Sequence, residues 1–121
     1  GDTPLALAAF KGHKKTVEIL LDRAANIESL NKKGQTPLAL AASNAGIETV
    51  ALLLDRSANI ESQDNNGDTP LVLAAFKGHK KTVEILLVRG ANIESQDCDG
   101  KSSLTHAAIM GHKETVELLL D

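Results

Sequence analysis

Four glycines, Gly1, Gly34, Gly67 and Gly100, stand 33 residues apart, and each opens a similar segment: GDTPLALAAF, GQTPLALAAS, GDTPLVLAAF and GKSSLTHAAI. A fixed period of this size constrains the fold more than any other feature, because one such unit cannot bury its own apolar face and must be completed by its neighbours. The 121 residues divide into units 1–33, 34–66 and 67–99 and a partial unit 100–121, read as one domain with no linker between units. Units 1–33 and 67–99 differ at only seven of 33 positions, most of them near the end of the unit, whereas the second unit has diverged further.

Within a unit the local signals are plain. Thr3 followed by Pro4 places an N-cap before a proline at the first helical position, where a missing N–H costs nothing. A short helix is expected from there through Lys11, with Gly12 as its left-handed stop. From Lys14 to Leu21, Val17, Leu20 and Leu21 fall at i, i+3 and i+4, which makes one apolar face of a second helix. The short connection makes the two helices antiparallel, and small Ala8 and Ala9 let neighbouring units approach closely. From Ala24 to Gly34 the sequence becomes polar and turn-forming, which predicts an extended arm and a turn.

The core of this stack has to be aliphatic, since Phe10 and Phe76 are the only aromatic residues, and Leu5, Ala8, Ala9, Val17, Leu21 and their counterparts recur to supply it. A composition of 42% hydrophobic and 24% charged residues fits neither a disordered chain nor a membrane protein, and no apolar run approaches the roughly 18 residues a spanning helix needs. The net charge of −3, without a basic run, argues against a nucleic-acid surface. A single cysteine, Cys98, excludes an internal disulfide framework and suits a reducing, cytoplasmic setting.

The period, the start Thr-Pro-Leu, the pair Ala-Ala, the later Gly-His and the Leu-Leu that precedes arginine resemble the ankyrin repeat over the whole chain. The resemblance implies an all-α solenoid of stacked helix-turn-helix pairs with β-turn arms, and protein binding rather than catalysis. Three departures stand out. The family's histidine after Thr-Pro-Leu is replaced by Ala6, Ala39, Val72 and Thr105, so hydrophobic packing is expected in its place. Ala45-Gly46 stands where Gly-His stands elsewhere, so the inter-helix turn of the second unit is expected to shift by a residue. In the arms, Asn26-Ile27-Glu28 and its counterparts at 59–61 and 92–94 replace the usual Asp-Val-Asn, which removes the usual target of asparagine hydroxylation.

By the same resemblance, partner contacts come from the turn tips and from the end of each first helix. These positions are Asp2, Phe10 and Lys11 in the first unit, and Lys32, Lys33, Gln35, Ser43 and Asn44 around the second. Asn65, Asn66, Asp68, Phe76 and Lys77 lie around the third, and Cys98, Asp99, Lys101, Ile109 and Met110 around the fourth. They differ between units while the core positions repeat, the pattern of a shared core with a tailored face. Unconstrained drift of turn residues is the plainer reading of the same pattern. Phe10 and Phe76 share one repeat position, about 20 Å apart if each unit adds about 10 Å, and serve as paired apolar anchors for a partner.

Candidate chemistry is absorbed by the repeat. Gly100-Lys101-Ser102 lacks the earlier glycine of a phosphate loop, and Asp64-Asn65-Asn66-Gly67-Asp68 has its glycine too early for a calcium loop. His13, His79 and His112 occupy one repeat position, too far apart to share a zinc ion, and His106 lies on a different helix from His112. Hydrogen bonding or exposure is expected of them, with no metal. Cys98 has no histidine nearby in sequence to activate it. Glu28, Glu61 and Glu94 read as a solvated ladder along the arms, and Lys14 and Lys80 as partners of Glu18 and Glu84 four residues on.

The function expected is a non-catalytic module that binds another protein or peptide, with no cofactor, no nucleic acid and no membrane insertion. A structural spacer, or an engineered scaffold suggested by the near-identity of two units, are the alternatives. The end units lack the polar replacements of capping repeats, so the chain reads as a fragment of a longer array that self-associates end to end.

Overall fold

The side chains of Thr3, Thr36, Thr69 and Ser102 each accept a hydrogen bond from the backbone N–H three residues on, at 3.1–3.3 Å, and each opens a first helix. The structure, a computed structural model, describes residues 2–121, so Gly1 lies outside the described residues. The first helices are α1 (Pro4–Lys11), α3 (Pro37–Ser43), α5 (Pro70–Lys77) and α7 (Ser103–Ile109), and each is followed by a second helix. These are α2 (Lys14–Asp22), α4 (Ile47–Asp55), α6 (Lys80–Val88) and α8 (Lys113–Leu120).

First helices pack on first helices and second on second, giving two layers in which each unit touches its neighbours. The first-helix row is the more closely packed because its contact face is Ala-Ala: Ala9, Ala41, Ala42, Ala74, Ala75 and Ala107 are inaccessible to solvent. Leu5, Leu38, Leu71, Val17, Val50 and Val83 complete an aliphatic core, and both phenylalanines lie outside it. On the second helices the buried leucines are Leu52, Leu53, Leu86 and Leu119, while Leu54 and Leu87, the counterparts of Leu21, are half-buried. Ala6, Ala39 and Val72 are buried, as hydrophobic replacements should be, whereas Thr105 is exposed and its hydroxyl lies 3.1 Å from that of Ser102.

The turn in the second unit is not shifted. Ala45 adopts the left-handed conformation (φ 60°) at the position of Gly12 (φ 75°), and the following N–H still bonds five residues back, from Gly46 to Ala41 at 2.9 Å. The expected displacement fails because a non-glycine residue accepts the strained conformation and keeps the register.

The arms are turns stitched to one another. Asn31, Asp64 and Asp97 each accept two backbone N–H groups at 2.9 Å on one side-chain oxygen, which closes each tip and accounts for the calcium-like motif as turn chemistry. Successive tips join by backbone bonds, Asn65 N–H to Lys33 and Cys98 N–H to Asn66, both 3.0 Å. The tips stack so closely that a Cβ on Gly67 would lie 2.8 Å from the Cys98 nitrogen, in a backbone already at φ 79°. The glutamates are not merely solvated. Glu28 accepts the N–H of Asn59 at 2.8 Å and Glu61 that of Asn92 at 2.6 Å, each bond crossing from one unit to the next.

The expected lysine pairs also differ. Lys15 meets Glu18 at 3.3 Å, and Lys80 approaches Glu114 of the next unit at 3.9 Å rather than Glu84, because stacking brings the second helices side by side. The shortest ion pairs run along the ends of that row, Arg56 to Asp22 and Arg89 to Asp55, both 2.6 Å.

Candidate functional site

The turn tips and the free side of the first helices enclose a groove in two joined sections. One section, of about 580 Å³, is lined by Asp2, Leu7, Phe10, Lys11, Lys32, Lys33, Gln35 and Leu40 among others. The next, of about 420 Å³, shares Phe10, Lys33, Gln35 and Leu40 and extends over Ser43, Asp64, Asn66, Asp68, Leu73, Phe76, Lys77 and His106. The repeat produces this surface. The proline start fixes where the first helix begins in the first three units, and the arm that follows the second helix brings its tip alongside the next first helix.

Eleven of the positions expected to face a partner thus converge on one groove: Asp2, Phe10, Lys11, Lys32, Lys33, Gln35, Ser43, Asn66, Asp68, Phe76 and Lys77. Phe10 is 40% exposed and Phe76 37%, so each offers part of its ring while the rest packs on the stack. Seven positions are not brought in. Asn44 spends its amide on the Phe10 carbonyl at 2.6 Å, and Asn65 on the Lys32 carbonyl at 3.0 Å. Asp99, Lys101, Ile109 and Met110 are exposed but line neither section, and neither does Cys98, a free, exposed thiol next to Asp99.

Sequence reasoning missed the seventh position of the unit. Leu7, Leu40 and Leu73 form the groove floor, and in the fourth unit His106 takes that place. The alternation Leu-Ala-Leu after the proline was the available signal, since its second leucine faces away from the Ala-Ala contact.

A cluster of titratable groups lies beside the groove where the third and fourth units meet. His106 Nε2 is 2.8 Å from Asp97 Oδ2, and these side chains are only 15% and 8% exposed. The His106 ring stands edge-on to Phe76, centroids 5.6 Å apart. Burial pushes the Asp97 carboxyl up, but hydrogen bonds from the Lys101 N–H, from His106 and from the Asp99 N–H outweigh it and hold the group below its usual value. Asp68 goes the other way. Burial first, then the negative charges of Asp64 and Asp97, raise it from 3.8 to about 6.

The histidines expected to bond or to be exposed do both. His79 Nε2 donates to the Ser43 carbonyl at 3.0 Å and His112 Nε2 to that of Phe76 at 2.9 Å, while His13 is exposed.

Comparison with known proteins agrees with this architecture. A family model of ankyrin repeats, three copies long, matches residues 1–64 and 57–121. A 33-residue stretch, 27% of the chain, is 61% identical to part of the ankyrin repeat and KH domain-containing protein mask of Drosophila melanogaster, and covers 1% of that protein.

Proposed function

The chain belongs to the ankyrin-repeat family, and from that premise we propose that it is a non-catalytic binding module whose groove receives an extended segment of another protein. The observation that carries this reading is the continuity of the groove across three units with Phe10 and Phe76 both on its wall. Exposed aromatic rings over a preformed trough give apolar anchoring at little cost in side-chain entropy. Lys11, Lys32, Lys33 and Lys77 surround them, which favours a partner with two apolar residues flanked by acidic ones.

The test is affinity capture with the wild-type chain, followed by calorimetry on the captured partner with Phe10→Ala and Phe76→Ala. Loss of about 2 kcal/mol or more of binding free energy in either variant supports the groove. A spacer role is the second reading, favoured by the unit-to-unit bonds of Glu28 and Glu61, which stiffen the stack. It gains if both variants keep every captured partner at full affinity.

The same reading extends to end-to-end association of this segment. Ile19 is 53% exposed, against 8% for its second-unit counterpart Leu52, so the second helix of the first unit presents an apolar surface that the stack covers in the second unit. Concentration-dependent sedimentation tests it, and a monomer at every concentration argues against it.

A further inference from the structure

We propose that Asp68, Asp97 and His106 form a binding site for a divalent transition-metal cation of the zinc class, at the junction of the third and fourth units on the groove. One donor atom from each of the three residues lies within 4.8 Å of the others. Zinc bonds of about 2.0–2.2 Å place tetrahedral ligands roughly 3.4 Å apart. The 2.8 Å from His106 Nε2 to Asp97 Oδ2 opens slightly to reach that spacing, and the Asp68 carboxylate, within 4.8 Å of both, completes the set.

Each donor is supported. Asp97 spends Oδ1 on the N–H groups of Asp99 and Lys101, which fixes the carboxylate and leaves Oδ2 to point at His106. The His106 ring is steadied by the edge of Phe76.

A separate observation concerns Asp68. Its Oδ1 is shielded from solvent and has no hydrogen-bond partner, an expensive arrangement for a carboxylate oxygen unless a cation meets it. One imidazole and two carboxylates suit zinc and its neighbours, whereas calcium and magnesium prefer all-oxygen shells. A neutral ring binds the cation as the tautomer that carries its proton on Nδ1, reached by proton exchange with solvent, so that Nε2 presents its lone pair and no net proton is lost. Three protein ligands leave a fourth position open to the groove.

The repeat supplies a conservative variant, since Leu40 and Leu73 occupy the His106 position in the second and third units. Gln35 and Lys101 likewise occupy the Asp68 position, so Asp68→Asn preserves the fold even if His106→Leu does not. The chelator-treated 121-residue chain would be titrated with zinc chloride by calorimetry, with circular dichroism on each variant. One equivalent is expected to bind, with affinity falling about tenfold or more in both variants, unchanged in His13→Ala, and not competed by magnesium. The ring nitrogens of His106 should shift on zinc addition in long-range proton–nitrogen spectra. Equal binding by wild type and Asp68→Asn, no saturable binding by wild type, or binding that leaves the His106 nitrogens unmoved would each overturn the site.

Discussion

The side-chain amide of Asn44 donates to the carbonyl of Phe10 at 2.6 Å, and so performs in the second unit what a histidine performs in the next two. Phe10, Ser43 and Phe76 hold the same repeat position at the end of a first helix, and their carbonyls are met from the following unit by Asn44, His79 and His112. Gly46 stands where the second unit would carry its histidine. One lost donor is thus replaced by another two residues earlier, where the first and third units have lysine.

This bond has a measurable worth. Asn44→Ala should lower stability by about 0.5–1 kcal/mol, the lower part of the usual range because water can reach the vacated carbonyl. Adding Gly46→His should restore the loss. The backbone at Gly46 is not left-handed, and a Cβ there meets its nearest atom, the Ala41 carbonyl oxygen, at an ordinary 3.5 Å. Urea unfolding of the single and double variants measures both steps, and a double variant no more stable than Asn44→Ala would break the equivalence.

Ala45 and Ser57 sit at φ 60° and 70°, where counterparts in other units are Gly12, Gly78 and Gly90. A side chain in that conformation costs about 1–2 kcal/mol, part of which glycine returns as unfolded-state entropy. Ala45→Gly and Ser57→Gly should therefore each raise stability by about 0.5–1 kcal/mol, additively because the two turns share no partner. Thermal and urea unfolding provide the measurement. A neutral result at both positions would show that the turns carry no strain.

How much was legible in the sequence follows from what the repeat averages. The cap at Thr3, the stop at Gly12 and the buried alanines occur in most units, so their roles could be read by superposing the units. What escaped were relations between one unit and the next. The bond of Glu28 to Asn59 and the ion pair of Asp22 with Arg56 span residues 31 and 34 apart, and no local pattern marks them. His106 escaped for another reason. It was weighed against other histidines, whereas its neighbours are carboxylates on two different tips, Asp97 and Asp68.

Asp68 makes stability depend on pH in an unusual direction. Its folded value of about 6 lies above the ordinary 3.8, so between those values the native state keeps a proton that the unfolded chain has released. The stabilising contribution is complete below about pH 4 and is lost as pH rises through 6. Asp64, Asp97 and Asp99 oppose ionisation of Asp68, and His106 favours it. Asp97, whose folded value is depressed, contributes above the ordinary value and loses its contribution only in stronger acid. The full separation at Asp68 would correspond to about 3 kcal/mol, and solvent reaching this half-buried side chain reduces the expected effect to about 1 kcal/mol. In chelator-containing buffer, Asp68→Asn should therefore be the more stable protein at pH 7 by about that amount, with the advantage vanishing near pH 4. Melting curves from pH 4 to 8 decide it, and parallel profiles would refute the assignment.

The two unit-to-unit ladders should contribute unequally, although both are built from short contacts to carboxylates. Glu61 accepts a backbone N–H from Asn92 at 2.6 Å, a donor fixed by its own turn, whereas Arg89 reaches Asp55 at 2.6 Å with a long side chain whose ordering offsets much of the gain. Glu61→Ala is expected to lose about 1–2 kcal/mol, as charge-assisted bonds to backbone do, and Glu61→Gln rather less because an acceptor remains. Arg89→Ala is expected to lose under about 1 kcal/mol, most of it gone in high salt. Val88, 84% exposed at the position of Asp22 and Asp55, shows that the third unit already lacks the carboxylate of that second ladder. Chemical unfolding at low and high salt separates the two cases. If Arg89→Ala proves the costlier change at both ionic strengths, the stack is held by its charged helix ends rather than by its arms.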